Sequence, residues 1–211
     1  MANRVINCIL FDFDGVLIDS LPVMEIAWKS VQNNYGILNP FVDYKKYIGL
    51  PFKEILNRLN IDKKYHEEIN EHYSKITRIN KKLIKLNPYV NYTLDWLKGN
   101  FIKTGIVTSK DKVRTLELVQ YFQLNFEIIV TPELTKLGKP SPEPILFAAK
   151  NLKLKTDQIV FVGDMESDMN CAFNSNCHYL HYKSGYQYLN DQMYGGEITS
   201  LIELILSLLH I

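Results

Sequence analysis

A short apolar run that stops at acidic residues, and then recurs, constrains this chain more than any other feature. Val5 to Phe11 lead into Asp12-Phe13-Asp14-Gly15, and similar runs follow at Lys103 to Val107, Ile128 to Val130, Ile159 to Val162 and Tyr179 to Leu180. Apolar residues at successive positions suit strands buried on both faces; a sheet with one wet face would alternate. Parallel strands of that kind need crossovers, and the segments between the runs have helical character. Lys112 to Phe122 places Val113, Leu116 and Val119 at helical spacing, which predicts that these three form its buried face. Pro142 to Leu152 begins with prolines, which a first helical turn tolerates. Asp168 to Ser175 reads as a helix with Asn176 as its left-handed cap, and Ile198 to Leu209 as a last helix packed on the sheet.

One region breaks the alternation. From about Ser20 to Leu86 no strand-like run appears, while Val23, Ile26, Ala27, Ser30 and Val31, then Ile55, Leu56 and Leu59, then Ile69, Tyr73, Ile76 and Ile79 recur at helical spacing. Several helices over roughly 65 residues exceed what a crossover needs. The expected fold is therefore α/β, with a Rossmann-like parallel sheet core, helices on both faces, and a small α-helical cap domain inserted after the first strand. Residues 1–19 and 87–211 would form the core and 20–86 the cap. Within the insert His66 and His72 do not share a helical face, so they are expected at the surface and not as metal ligands. Lys81, Lys82 and Lys85 read as a solvated helix end.

Charge narrows the partners. Lys and Arg number 24 against 23 Asp and Glu, and a formal net charge of +1 gives no general attraction to nucleic acid or anionic lipid. Any anion site must be local. Cys8, Cys171 and Cys177 lack a CxxC spacing and lie in apolar stretches, which suits a reducing compartment. No apolar run approaches about 18 residues and no signal peptide is visible. The expectation is a cytoplasmic monomer or homodimer that binds neither membrane nor nucleic acid.

The chemistry sits at strand ends, where open α/β sheets place their ligands. Asp12 and Asp14, two apart on a strand, share a face and can converge on a cation, and hard carboxylate oxygens suit Mg²⁺. Alone, the run is equally a strand entering an Asp-Gly turn. A second apolar strand ends in Gly163-Asp164, with Asp168 four residues on, near the start of the following helix. A third ends in Thr108-Ser109-Lys110, whose hydroxyls and backbone N–H groups can hold a phosphate oxygen. Finally, Gly138-Lys139-Pro140-Ser141-Pro142 fixes a cation in a stiff loop before a helix.

These four pieces, in this order, resemble the haloacid dehalogenase superfamily across nearly the whole chain. The resemblance implies that Asp12 is a nucleophile, Asp14 the general acid/base with its backbone carbonyl on the metal, Thr108 a phosphate ligand, Lys139 the motif lysine and Asp164 a metal ligand supported by Asp168. It also implies phosphate contacts from Gly15 and Ser109, and Mg²⁺ as cofactor. Leu17-Ile18-Asp19-Ser20 and the helical insert look like the subgroup with a small helical cap, in which Ile48-Gly49-Leu50-Pro51 resembles the loop that selects substrate, with Phe52 and Lys53 beside it. Gly185-Tyr186-Gln187-Tyr188 is similar to a loop of phosphoglycolate phosphatase-like members. The implied activity is hydrolysis of a small soluble phosphate ester: phosphoglycolate, or a sugar, polyol or amino-alcohol phosphate. A dehalogenase would lack the acid at Asp14, and a β-phosphoglucomutase-type mutase would carry histidine where this chain has Met24. A phosphonate hydrolase would need a cap lysine placed to form an imine, and nothing marks Lys29, Lys45, Lys46 or Lys53 for that. The alternatives are a phosphosugar mutase of the β-phosphoglucomutase type, which Met24 weakens, and a non-catalytic binding protein on the same scaffold.

Overall fold

The computed structural model describes residues 5–184, 186 and 195–209. In chain order the elements are β1 (Cys8–Phe11), β2 (Ile18–Asp19), α1 (Leu21–Tyr35), α2 (Phe41–Lys45), α3 (Phe52–Arg58), α4 (His66–Ile79), β3 (Lys85–Leu86) and α5 (Val90–Gly99). Then come β4 (Lys103–Val107), α6 (Lys112–Tyr121), β5 (Ile128–Val130), α7 (Glu143–Leu152), β6 (Ile159–Gly163), α8 (Glu166–Asn174), β7 (His178–Tyr182), β8 (Gly196–Ile198) and α9 (Leu201–Leu209). Six strands form one sheet in the order β5-β4-β1-β6-β7-β8, every pairing parallel. The β8 edge strand was not expected from the sequence.

The sheet explains why its strands are continuously apolar. Side chains alternate between faces, so Ile9, Phe11, Ile106, Val160 and Val162 enter one core with residues of α5, α6 and α9, while Cys8, Leu10, Val107 and Phe161 enter the other with residues of α7 and α8. Each large side chain buried this way stabilises the fold by about 1.5–3 kcal/mol. The three cysteines are buried and free. Asn176 follows α8 with φ 56°, the left-handed cap its position suggested.

Between β2 and β3 the chain runs through α1 to α4. These two short strands pair antiparallel, Ile18 with Leu86 and Asp19 with Lys85, so the helical segment leaves and returns at one place, immediately after the turn that follows β1. Its own core contains Trp28, Tyr44, Leu56 and Ile69, and it takes in Met165 and Tyr186 from the sheet side. Tyr186 is thus a structural neighbour of the insert; Gly185, Gln187 and Tyr188 lie outside the described residues.

Three readings of the sequence need correction. The buried residues of α6 are Arg114, Thr115, Leu118 and Val119, while Val113 and Leu116 face outward. The helix is rotated because the Arg114 guanidinium is satisfied inside, donating to Glu117 at 2.8 Å and to the Thr77 carbonyl at 3.0 Å. His66 is buried, its ring nitrogen Nε2 bonded to the Ile61 carbonyl at 2.9 Å. Lys81 is not a loose helix end: it pairs with Glu117 at 3.4 Å and lies over the Tyr121 ring, and Lys85 belongs to β3.

Candidate active site

The acidic residues converge at the carboxyl ends of β1 and β6. Asp12, Asp164 and Asp168 are buried, and each offers a carboxylate oxygen within 4.8 Å of the others. Lys139, carried in from the loop before α7, joins them: its ammonium donates to Asp12 at 2.8 Å, to Asp168 at 2.5 Å and to the Val107 carbonyl at 3.4 Å. Asp168 is further anchored by the backbone N–H groups of Asp164 and Met165, at 3.2 and 3.0 Å, at the start of α8. It is fully committed to holding its neighbours.

Asp164 is not. The Ser184 hydroxyl donates to its Oδ2 at 2.6 Å, but among the described residues its buried Oδ1 has no partner. Burial, with Asp12 and Asp168 nearby, pushes the Asp164 carboxyl well above the carboxylate range. Burial likewise pushes Asp12 up to about 7, against the pull of Lys139. Burial alone would lower the Lys139 ammonium, but Asp12 and Asp168 reverse this and hold it above its ordinary value.

Asp14 turns away from this group. Its Oδ1 accepts from the Ser20 hydroxyl at 2.5 Å, and its Oδ2 pairs with Lys110 at 3.1 Å. Ser20 stands at the start of α1 and also donates its N–H to the Tyr186 hydroxyl at 3.0 Å, so the first residue of the helical segment holds the second aspartate. When all four are ionised these carboxylates face two ammoniums, an excess of two negative charges, and Asp12 and Asp164 are the two whose burial favours the protonated form until a cation replaces the proton. Together with the unpartnered Asp164 oxygen, that imbalance fits a divalent, oxygen-preferring cation.

Gly15 has a different task from the phosphate contact expected of it. Its N–H, the only donor it has, is spent on the Ile18 carbonyl at 2.8 Å. What matters is its missing side chain: at φ +92° a Cβ would lie 2.0 Å from Asp164 Oδ2. The turn is stitched by Asn87, whose side-chain amide donates to the Gly15 and Val16 carbonyls at 2.7 and 2.9 Å. Thr108 is buried and lines the same cavity as Asp12 and Asp14, its hydroxyl oxygen accepting from the Lys110 N–H at 3.1 Å and its own proton unspent among the described residues. The Ser109 hydroxyl, expected on phosphate, instead donates to the Gly49 carbonyl at 2.6 Å and ties the insert's loop to the sheet. Phe52 packs on Tyr73 in a tilted pair with ring centroids 4.6 Å apart, while Lys53 is exposed and paired with Glu67 at 2.9 Å. A cavity of about 540 Å³ opens over Asp12, Asp14 and Thr108 and is roofed by the insert. Sequence reasoning gave no role to Ser20, Asn87, Lys110 or Ser184: Ser20 and Lys110 stand inside quoted runs but only as their last residues, and Asn87 and Ser184 belong to no run.

A family model for haloacid dehalogenase-like hydrolases matches residues 9–181. The chain belongs to that family. Among curated relatives of this haloacid dehalogenase-like hydrolase, a phosphorylated carbohydrates phosphatase from Thermotoga maritima is 29% identical over 79% of this chain and 80% of its own. A phosphoglycolate phosphatase from Nitrosococcus oceani is 27% identical, with 93% of each chain covered. The crystal structure of a hydrolase from Pseudomonas syringae superposes with a TM-score of 0.88 at 23% identity, over 97% of this chain and 98% of that one. A β-phosphoglucomutase from Clostridium difficile shares the fold at TM-score 0.84 and 18% identity, covering 98% and 96%. No helix among the described residues is long and apolar enough to cross a membrane.

Proposed function

We propose that this hydrolase is a Mg²⁺-dependent phosphatase of small phosphate monoesters, with Asp12 as the nucleophile of an aspartyl-phosphate intermediate. The observation that carries the reading is the buried Asp12, held by Lys139 beside an Asp164 whose second oxygen has no partner. Mg²⁺ held by Asp12 and Asp164, with the Asp14 backbone carbonyl as the family resemblance implies, would neutralise charge on a phosphate oxygen and the nucleophile. Lys139 orients the Asp12 carboxylate, and the Thr108 hydroxyl donates its free proton to a phosphate oxygen, with backbone N–H groups around it. Attack by an Asp12 oxygen on phosphorus breaks the bond to the leaving oxygen, which takes a proton from Asp14; water then attacks the acyl phosphate with Asp14 as base. At rest Ser20 and Lys110 hold Asp14 as a carboxylate. It must release Lys110 and take up a proton from solvent before it can protonate the leaving oxygen, and the proton it later takes from water restores it as acid. Residues 20–86 act as a lid, and Ser109 with Gly49 ties it down over the site.

Met24, where the resemblance to a mutase would need histidine, lines the cavity with an apolar chain. It offers no group for handling a second phosphoryl transfer, which favours water as the final acceptor. The test is hydrolysis of p-nitrophenyl phosphate in metal-free buffer, then with Mg²⁺, by wild type and Asp12→Asn. Turnover is expected only for wild type with Mg²⁺. Equal turnover by a folded Asp12→Asn protein, checked for deamidation, would remove Asp12 from the role, and full activity after exhaustive chelation would remove the metal.

A further inference from the structure

We infer that Ser184 and Tyr186 are positioning residues for this reaction, one short segment that orients the metal ligand Asp164 at one end and, through Ser20, the proton donor Asp14 at the other. This deepens the phosphatase reading and rests on it.

The segment follows β7 and is tied to the sheet edge, the Lys183 N–H donating to the Ile198 carbonyl and the Ser184 N–H to the Tyr182 carbonyl, both at 2.9 Å. Ser184 Oγ then makes two bonds of its own. It donates to Asp164 Oδ2 at 2.6 Å and accepts from the Tyr186 N–H at 3.0 Å. With Oδ2 claimed, Oδ1 is the oxygen that Asp164 can turn to a cation, and among the described residues it has no other partner. One hydroxyl therefore sets both the Asp164 carboxylate and the backbone of Tyr186.

Tyr186 carries the link across to the insert. Its ring is buried among the insert's core residues. Its hydroxyl accepts the Ser20 N–H at 3.0 Å and donates to Asp19 Oδ1 at 3.4 Å, so it pins the two residues by which the chain enters the insert. Burial, with Asp14 close by, pushes the phenol above its ordinary value and keeps it neutral. Ser20, held there, gives its own proton to Asp14 Oδ1. An oxygen that accepts from a hydroxyl is the carbonyl oxygen of a carboxylic acid, so the proton Asp14 takes up goes to Oδ2, the oxygen that Lys110 releases. A phenylalanine would fill the same space in the insert's core; only the hydroxyl reaches Ser20. The arrangement is also directional: losing the Tyr186 hydroxyl loosens Ser20 and Asp14 alone, whereas losing the Ser184 hydroxyl loosens both ends.

The experiment compares wild type, Tyr186→Phe and Ser184→Ala in two measurements: kcat/KM for p-nitrophenyl and phenyl phosphate at saturating Mg²⁺, and Mg²⁺ binding read without substrate from Tm across a Mg²⁺ series. Phenol, like a tyrosine side chain with its pKa of about 10, needs a proton on leaving far more than the activated nitrophenol does. Because kcat/KM covers only the steps up to that departure, it isolates Asp14 as acid from Asp14 as base. Tyr186→Phe is expected to lower the phenyl phosphate value about five- to tenfold, as loss of one neutral hydrogen bond does, and the p-nitrophenyl phosphate value less than about twofold, with Mg²⁺ binding unchanged. Ser184→Ala is expected to weaken Mg²⁺ binding about 10- to 100-fold and to open the same gap between the esters. Equal losses on both esters, or none, in Tyr186→Phe overturn the inference and leave the phosphatase reading intact, as does an unmoved Mg²⁺ series in Ser184→Ala. Where Ser184→Ala does not fold, Tyr186→Phe, which keeps its ring, decides the point alone. Wild type that hydrolyses neither ester overturns both readings.

Discussion

Replacing Gly15 by alanine tests the arrangement at its tightest point. Two costs can be separated. The first is conformational: at φ +92° an L-residue is strained by about 1–2 kcal/mol. The second is collision, since the new Cβ would sit 2.0 Å from Asp164 Oδ2 and 2.7 Å from its Cγ. The carboxylate would have to retreat by more than an ångström, breaking the Ser184 hydrogen bond to it, which costs about a further 1.5–3 kcal/mol. Together the loss is about 2.5–5 kcal/mol. For a chain of this size that is a fall in Tm of roughly 5–20 °C. Displacing Asp164 should also raise the Mg²⁺ concentration for half-maximal activity about 10- to 100-fold. Gly36→Ala supplies the control: its φ of +63° is also left-handed, but a Cβ there meets nothing within 4 Å. It should show the conformational cost alone, with an unchanged Mg²⁺ titration. Thermal unfolding with and without Mg²⁺, and activity across a Mg²⁺ series, read both quantities. If Gly15→Ala and Gly36→Ala lose the same stability, or the Gly15→Ala titration matches wild type, then Gly15 is not making room for Asp164.

Two more predictions concern the buried charges. Asp12, at about 7 in the folded protein against about 3.9 unfolded, binds its proton more tightly when folded, so metal-free stability from this group is full below pH 4 and is lost as pH rises to about 7. Mg²⁺ should therefore raise Tm more at pH 7.5 than at pH 5.5, and Asp12→Asn should flatten the metal-free slope; equal Mg²⁺ shifts at both pH values would contradict this. Lys139→Ala leaves Asp12 and Asp168 buried without their cation and should cost about 3–5 kcal/mol by denaturant unfolding, partly restored by Mg²⁺. A loss under about 1 kcal/mol would show that the pair is not held as described.

The strands and the acids at their ends were legible because a residue run apolar at every position has few places to go but a sheet covered on both faces. The helix faces were less so. Val113, Leu116 and Val119 make a regular apolar stripe, yet α6 turns Arg114 inward because a carbonyl on α4, at Thr77, accepts from its guanidinium. No local pattern announces a partner that distant. The same holds for His66, whose burial depends on the Ile61 carbonyl, and for Ser20, Lys110 and Ser184, which are ordinary polar residues until their loops meet Asp14 and Asp164. Gly15 illustrates a subtler limit. The Asp-Gly pair was readable as a turn or a phosphate contact, but its actual constraint comes from the Asp164 side chain of another strand.

The distribution of satisfied and unsatisfied groups separates support from chemistry within this one cluster. Asp168 receives Lys139 and two backbone N–H groups, and such a residue can do little except hold its neighbours. Among the described residues, Asp12 has one oxygen on Lys139, Asp164 has one oxygen with no partner, and the Thr108 hydroxyl keeps its proton free. A cluster built only to stabilise the sheet would close those gaps, because an unpaired buried oxygen costs about 1–3 kcal/mol and apolar side chains of similar volume would pack without that cost. Asp12 and Thr108 line the cavity, Asp12 and Asp164 offer oxygens within 4.8 Å of each other, and the excess negative charge that appears when these acids ionise has the sign and size that a divalent cation removes. Cation binding and folding are then linked: the ion that completes the site also relieves the repulsion among the acids around it, so its affinity should be visible in stability even in a variant such as Asp14→Asn, where turnover is impaired by loss of the proton donor.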